Sequence, residues 1–367
     1  MNRNLAQVFI LWLFVVGSAG VSAQRQPPPL PPQTATAPAP SVQAPNDPGY
    51  DALIATCKNP PPARGGRAGR GGARGAQPEG MRDYQVTEIP GVIAAGERWT
   101  FSWQEAGNNG DGIIGTNDGG LLLAQNDNSR VVKLDKDGKP SVVYSDTHTG
   151  GALSMSTKGA LFIVQRGLHA AVAQLAPQRK NLANSYMGDP LDCVGGVIND
   201  LMADSHGGVY FTMGGLYYAD PKGVITKYGD NLFTNGIILS ADEKTLYVTN
   251  NATLAAFDVQ PDGSLARQRE FAHLDGGGAG DGLAIDASGR IYVATTPGIQ
   301  VIGPDGKYLG IIPTPRGTIS AAFGGKDKKS LFILARGAVD ASGNQVANAA
   351  QVYAIRMIAQ GYRGRAK

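Results

Sequence analysis

The sequence has few of the residues that most often carry chemistry in exported proteins. Of its 367 residues only two are cysteine and four are histidine, and 17% are charged. No two histidines have the His-x-x-x-His spacing of a zinc protease, and no Gly-x-Ser-x-Gly nucleophile elbow is present. The formal net charge of +3 comes from basic tracts at the two ends, so no basic domain for nucleic acid is indicated.

The first residues are typical of a secretory signal peptide. Arg3 precedes an apolar stretch, Leu5 to Val16, that is too short to span a membrane comfortably. The small residues Val21-Ser22-Ala23 form a cleavage pattern, so residues 1–23 are expected to be a removed signal peptide. The mature protein is then expected to be secreted or periplasmic, with no membrane attachment. An uncleaved signal anchor is the alternative.

Low-complexity sequence lies between the signal peptide and the body. Residues 24–83 contain a Pro-rich tract and an Arg/Gly-rich tract, and this N-terminal segment is expected to be disordered. The stretch from Tyr50 to Cys57, between the two tracts, is suggested as a short helix or docking segment. In an exported protein a solvated Arg-Gly tract is favoured over one that binds RNA, so no nucleic-acid partner is expected. Residues 84–359 form the predicted domain, and residues 360–367 form a basic C-terminal tail.

The body repeats one cassette of short apolar runs. From Asp281 onward, the runs GLAID, RIYVAT, GIQVI and KYLGIIP are separated by turn residues, which is the pattern of a four-stranded antiparallel blade. Six such cassettes follow one another near the blade period of about 40–45 residues. The sequence therefore predicts an all-β fold, a six-bladed β-propeller of four-stranded antiparallel blades. Residues 85–103 are expected to supply the outer strand of the last blade.

One position recurs at the start of each innermost strand. It holds an acid or an amide in four cassettes and glycine in two: Asp111, Gly150 or Gly151, Asn199, Asn235, Asp281 and Gly317. Because the innermost strands of a propeller surround its channel, the four polar side chains are expected to converge there. Such an oxygen-rich group suits a hard divalent cation. The alternative is that Asn-Gly and Asp-Gly pairs are only turn signals.

Three motifs of the body also carry a family resemblance. They are Asn199-Asp200-Leu201 before Val209-Tyr-Phe-Thr, the run from Thr234 to Val248, and Asp281-Gly-Leu-Ala-Ile-Asp. Over about residues 105–356 the chain resembles the SMP-30/gluconolactonase/LRE family of six-bladed propeller lactonases.

This resemblance implies one divalent metal ion in the channel. The family's first-blade acid, Asn and Asp ligands fall on Asp111, Asn235 and Asp281, and a further Asn beside metal and substrate falls on Asn199. Calcium is the favoured ion, with magnesium, manganese or zinc as alternatives. The chain departs from the family at two positions: Asp111 replaces the usual Glu, and Val197 stands where the lactonases often carry Arg.

The implied activity is hydrolysis of a lactone or a related ester by water activated at the metal. Asp281 or Asp200 is expected to accept the proton of the water, while Asn199 and Asn235 orient the substrate. Asp200 has a structural, turn-capping role as its alternative, and Arg166 is a weaker pocket candidate. A non-catalytic propeller that binds a sugar, peptide or envelope partner is the alternative function. A strictosidine-synthase-like or paraoxonase-like propeller is a third.

The two cysteines favour one disulfide, because the chain is expected to be exported. A bond between Cys57 and Cys193 would fix the N-terminal segment over the face of the propeller that carries the site. Two free thiols are the alternative.

Overall fold

A computed structural model of the chain describes residues 27–30, 42–61, 80–106 and 110–367. The predicted signal peptide, residues 1–23, lies outside the described residues, as does the Arg-Gly tract. Within the described ranges, no helix has the length and apolar character needed to cross a membrane.

Six four-stranded antiparallel sheets make up the body, each forming one blade. Blade 1 contains β2 (Gly110–Gly115), β3 (Leu121–Gln125), β4 (Arg130–Leu134) and β5 (Pro140–Tyr144). Blade 2 contains β6 (Leu153–Met155), β7 (Leu161–Gln165), β8 (Ala171–Ala176) and β9 (Lys180–Ala183). Blade 3 follows two short strands, β10 (Ser185–Tyr186) and β11 (Asp189–Pro190), and contains β12 (Leu201–Ala203), β13 (Val209–Thr212), β14 (Leu216–Ala219) and β15 (Ile225–Tyr228).

The remaining three blades follow the same order, from the innermost strand outwards. Blade 4 contains β16 (Thr234–Leu239), β17 (Thr245–Asn250), β18 (Thr253–Val259) and β19 (Leu265–His273). Blade 5 contains β20 (Leu283–Ile285), β21 (Ile291–Thr295), β22 (Gly298–Ile302) and β23 (Tyr308–Pro313). Blade 6 contains β24 (Thr318–Gly324), β25 (Ser330–Val339), β26 (Gln345–Arg356) and, outermost, β1 (Thr100–Ala106). The prediction of an all-β, six-bladed propeller is confirmed.

The ring of blades is closed by the two ends of the domain. Strand β1 pairs antiparallel with β26, with Thr100 opposite Ala354 and Gln104 opposite Gln351. The sequence prediction that residues 85–103 complete the last blade is confirmed, with the strand itself displaced to Thr100–Ala106. Because β1 precedes blade 1 in the chain, this pairing covers the outer edge of β26 and joins blade 6 to blade 1.

Apolar side chains between adjacent blades form the core. Strand β21 is buried along its whole length, whereas four of the five residues of the outermost strand β5 are exposed. The largest apolar cluster joins blades 3, 4 and 5 through side chains such as Met202, Ile238 and Leu283. Burial of each Leu, Ile or Val side chain contributes about 1.5–3 kcal/mol to the free energy of folding. Packing between the blades therefore holds the innermost strands in place around the channel.

A segment before the propeller packs on the loops of blades 2 and 3. It contains a 3₁₀ helix (Ala44–Asn46) and the helix α1 (Tyr50–Ile54), and Cys57 forms a disulfide with Cys193 in a second 3₁₀ helix (Leu191–Val194). The backbone N–H of Lys58 donates to Asp189 Oδ1 at 3.0 Å. The predicted disulfide is confirmed. Non-local bonds hold residues 42–61 to the propeller, and α1 lies in the stretch that the sequence suggests as a short helix or docking segment.

Candidate functional site

Each blade contributes one polar side chain to the same end of the channel. We call this set the polar ring; in blade order its members are Asp111, Arg166, Asn199, Asn235, Asp281 and Arg336. Four of them are the residues that the repeated sequence position predicted. The two arginines come from the blades in which that position is glycine, blades 2 and 6, where they lie at or near the end of the second strand.

Glycines beside the polar ring explain how the side chains come together. Gly112, Gly236 and Gly282 each follow a ring residue, and none of them has a positive φ. A Cβ atom on Gly112 would overlap the backbone of Ala152, and one on Gly236 would overlap the carbonyl oxygen of Asp281. These glycines therefore allow neighbouring innermost strands to approach closely. A turn requirement does not account for the Asp-Gly and Asn-Gly pairs at the ring.

Arg166 connects three blades. Its guanidinium pairs with the Asp111 carboxylate, and Nη2 donates to Asn199 Oδ1 at 2.8 Å. Its Nε also donates to the carbonyl oxygen of Ile198 at 2.9 Å, and the side chain is only 4% exposed. A Cβ atom on Gly151 would overlap this guanidinium, so the glycine of blade 2 supplies the space that Arg166 fills.

The two amides of the polar ring are also bonded to each other. Asn199 Nδ2 donates to Asn235 Oδ1 at 2.8 Å, across the boundary between blades 3 and 4. Because an amide nitrogen carries two hydrogens and an amide oxygen has two lone pairs, each group retains one further bond for a ligand. Asp111, Arg166, Asn199 and Asn235 thus form one continuous chain of contacts.

Asp281 from blade 5 and Arg336 from blade 6 complete the ring. Arg336 Nη2 lies 3.5 Å from Asp281 Oδ2. Burial, together with the like charge of Asp111, raises the pKa of Asp281 to about 7, and the Arg336 charge opposes this rise. The two acids are therefore close enough to repel each other, and the guanidinium does not fully compensate Asp281.

Asp200, which the sequence suggested as a proton acceptor, faces away from the polar ring. Its Oδ1 accepts the N–H of Leu201 at 2.8 Å, and its Oδ2 accepts the N–H of Ile237 at 2.9 Å. Oδ2 also pairs with the buried ammonium group of Lys367. These contacts occupy the carboxylate with backbone and cation, which agrees with the structural alternative for this residue.

The donor set of the polar ring fits one hard divalent cation. Carboxylate oxygens are available from Asp111 and Asp281, and amide oxygens from Asn199 and Asn235, which are the ligand types that calcium and magnesium prefer. Burial and the Asp111 charge raise the pKa of Asp281 to about 7, so the ring disfavours its charged carboxylate in the absence of a cation. Within the described residues, no group of three His, Cys, Asp or Glu side chains forms a metal site, so amide oxygens are needed here.

Sequence reasoning missed Arg336 and ranked Arg166 low. A signal was present, because both arginines end the same pattern: Leu161-Phe-Ile-Val-Gln-Arg166-Gly and Leu331-Phe-Ile-Leu-Ala-Arg336-Gly. An arginine at or near the end of the second strand, found in two blades, indicates a position close to the channel. Lys367 was also missed, because nothing in the pattern of the tail indicates that it enters the propeller.

The N-terminal segment lies at the rim of the polar ring. The backbone N–H of Ala44 donates to the carbonyl oxygen of Arg166 at 2.7 Å, and Thr149 Oγ1 donates to the carbonyl oxygen of Val42 at 3.1 Å. The disulfide to Cys193 holds the other end of the same segment. Residues 42–61 therefore cover part of the face on which the polar ring opens.

Comparison with solved structures confirms this propeller architecture. A gluconolactonase from Xanthomonas campestris superposes with a TM-score of 0.62 at 22% identity, over 78% of this chain and 99% of the other. Regucalcin from Agrobacterium tumefaciens, a calcium-binding protein, superposes with a TM-score of 0.55 at 18% identity, over 72% and 98%. At these identities the similarity shows the fold alone.

Sequence comparison identifies more specific relatives. A gluconolactonase of Zymomonas mobilis is 26% identical over 216 residues, and a lactonase of Staphylococcus epidermidis is 29% identical over 186 residues. The alignments cover 50% and 46% of this chain, and 60% and 50% of the relatives. The chain thus spans only half to three fifths of these relatives. The family model of the SMP-30/gluconolactonase/LRE-like region matches residues 128–336, and the chain belongs to this family.

Proposed function

We propose that the protein hydrolyses a lactone or a related carboxylic ester in the polar ring, with one divalent cation. The observation that supports this most is the convergence of two acids and two amides from four different blades at one end of the channel. The gluconolactonase and lactonase relatives support the same class of reaction.

Asp111, Asn235 and Asp281 would hold the cation, with Asn199 beside it. Calcium is the favoured ion, since the donors are all oxygen and the carboxylates number two; magnesium, manganese and zinc are the alternatives. When bound, such an ion polarises the carbonyl group of the substrate and lowers the pKa of a water molecule. Asp111 reaches less far than Glu would, and its pairing with Arg166 holds its carboxylate towards blade 2.

Asp281 is the proton acceptor in this proposal. A carboxylate that faces an activated water is a suitable general base, and Asp281 supplies the ring carboxylate that is not paired with Arg166. Arg336 beside it favours the charged, proton-accepting form. Asp200 takes no part in the proton transfer, because its oxygens are bonded to the backbone and to Lys367.

Asn199 orients the substrate and stabilises negative charge on its carbonyl oxygen. One hydrogen of its Nδ2 is bonded to Asn235, and the second is available as a donor. Arg166 fixes the amide from the other side through Oδ1. A donor that is held on both sides needs little reorganisation during the reaction, and this is the property that makes oxyanion stabilisation effective.

A binding propeller is the second candidate function. The long loop that carries Cys193, together with residues 42–61, forms a surface beside the polar ring that a sugar, peptide or envelope partner would contact. Both functions are consistent with secretion or a periplasmic location, which we also propose from the signal-peptide pattern and the disulfide.

Hydrolysis assays on the mature protein separate the two candidates. Aldonolactones, simple lactones and aryl esters are offered to the wild type, to the wild type with chelator, and to Asp281→Ala. Asp137→Asn, which changes an exposed hairpin acid paired with Lys136, is the matched control. The proposal expects turnover in the wild type and the control, and loss of turnover with chelator and in Asp281→Ala. Turnover that survives both would contradict it.

A further inference from the structure

Residues 361–367 cross the end of the channel opposite to the polar ring. Gly361 pairs with Asp286, and Ala366 pairs with Met155. Arg365 Nη2 donates to the carbonyl oxygen of Ser240 at 2.7 Å. These three partners lie at or just beyond the C-terminal ends of the innermost strands of blades 5, 2 and 4, whereas the ring residues on the innermost strands lie at or near their starts.

The side chain of Lys367 extends from this segment into the channel. Its ammonium group donates to the carbonyl oxygens of Ile237 at 2.9 Å and Leu201 at 3.1 Å, and it pairs with the Asp200 carboxylate. The lysine side chain is 4% exposed and that of Asp200 is 9% exposed. All three oxygen partners belong to blades 3 and 4.

These contacts lie directly below the two amides of the polar ring. Leu201 and Ile237 are each two residues beyond a ring asparagine, Asn199 and Asn235. The Asp200 carboxylate links the same two strands, because it accepts the N–H of Leu201 and the N–H of Ile237. A buried carboxylate without a cation is strongly destabilising, so the link between β12 and β16 requires a positive charge at this point.

We propose that the Lys367 ammonium group serves as a built-in monovalent cation at this end of the channel and positions Asn199 and Asn235 through Asp200. It is a positioning residue, because it contacts neither the substrate nor the ring side chains. The lysine occupies a small site of one carboxylate and two carbonyl oxygens that a free ammonium or potassium ion would fill in its absence.

The test compares thermal melting of Lys367→Met with that of the wild type, in ammonium chloride and in tetramethylammonium chloride at equal ionic strength. Arg363→Met, an exposed change in the same segment, is the matched control. We expect the melting temperature of Lys367→Met to fall by about 5–10 °C, since one partner of a buried pair is lost. Ammonium, but not the bulky ion, should restore part of this loss, and only in this variant.

A second variant separates charge compensation from loss of packing. In Asp200→Asn/Lys367→Met the unpaired charge is gone, so this protein should melt above Lys367→Met and show no ammonium-specific effect. A Lys367→Met protein that melts with the wild type, or one whose loss ammonium does not restore, would overturn the proposal.

Calcium affinity separates the two roles that Lys367 could have. If Lys367 only anchored residues 361–367, its replacement would leave the calcium affinity of the polar ring unchanged. Changes to residues that hold metal ligands in place typically weaken metal binding about 10–100-fold. We therefore expect Lys367→Met to lose at least about tenfold in calcium affinity, restored in part by ammonium. Unchanged affinity in a wild type that binds calcium would overturn the positioning role. The calcium-binding experiment rests on the proposed function. If the wild type binds no calcium, the metal proposal fails and the melting experiment decides on Lys367.

Discussion

Asn199 donates a hydrogen bond from Nδ2 to Oδ1 of Asn235, at 2.8 Å, across the boundary between two blades. The bond matters because Asn199 is simultaneously held by Arg166, so its remaining N–H has a fixed direction. Two amides that are 36 residues apart in sequence are thereby held together as one hydrogen-bonded pair in the candidate site.

Replacement of this amide tests its role in turnover. In Asn199→Ala we expect kcat for the lactone substrate to fall about 100-fold, the usual effect of removing one donor to a developing oxyanion. Steady-state kinetics measure this, with Asn344→Ala, an exposed turn amide, as the control. A variant with unchanged kcat and a raised KM would show instead that Asn199 binds the ground state and the transition state equally.

The pH dependence of stability follows from Asp281. In the metal-free protein its pKa is about 7, whereas an aspartate in the unfolded chain has a pKa of about 4. Between these values the folded state retains a proton that the unfolded state has lost. The contribution of Asp281 to the free energy of unfolding therefore falls as the pH rises from about 4 to about 7.

Urea unfolding in chelator at several pH values measures this effect. Asp281→Asn lacks the titrating group, so the difference in stability between the variant and the wild type should change across this interval and level off above pH about 8. A difference that is constant from pH about 4 to about 8 would show that Asp281 has an ordinary pKa.

Close packing of the innermost strands predicts the effect of a single methyl group. A Cβ atom at position 236 would overlap the carbonyl oxygen of Asp281, which is backbone and cannot rotate away. We expect Gly236→Ala to lower the free energy of unfolding by about 1–3 kcal/mol. Gly80→Ala, where no atom lies within 4 Å of the added carbon, is the control for urea denaturation. Equal midpoints for the two variants would contradict the packing argument.

The disulfide predicts a stability difference that is independent of the site. Cys57 and Cys193 are 136 residues apart in sequence, with Cα atoms 5.8 Å apart. Removal of a native disulfide typically costs about 2–5 kcal/mol, so Cys57→Ser/Cys193→Ser should melt clearly below the wild type. Protease should then cleave within residues 42–61 faster in this variant than in the wild type. Identical melting and identical cleavage would show that the bond does not hold this segment.

Repetition made the fold and four ring residues predictable from sequence. Asp111, Asn199, Asn235 and Asp281 share one register position, and each lies at or within two residues of the start of an innermost strand that the apolar runs define. The arginines were harder to place, because a long side chain reaches its partner from another strand. Arg166 bonds to the carbonyl oxygen of Ile198 in blade 3, and the sequence around Arg166 does not indicate this partner.

Non-local contacts account for what sequence reasoning missed. Residues 42–61 have the composition of a linker, yet bonds to Asp189 and the disulfide hold them on the propeller. Lys367 lies in a tail that its basic composition marks as solvated, but the channel offers it a carboxylate and two carbonyl oxygens. Such partners become visible only when the blades are assembled.

The central claim is that the polar ring holds one divalent cation through the Asp111, Asn235 and Asp281 side chains. Calorimetric titration of the chelator-treated protein with calcium, for the wild type and Asp281→Asn, tests it most directly. The account predicts one ion bound per wild-type chain, and binding that is lost or at least about 100-fold weaker in the variant. A wild type that binds no calcium, magnesium, manganese or zinc, or a variant that binds as the wild type does, would contradict it.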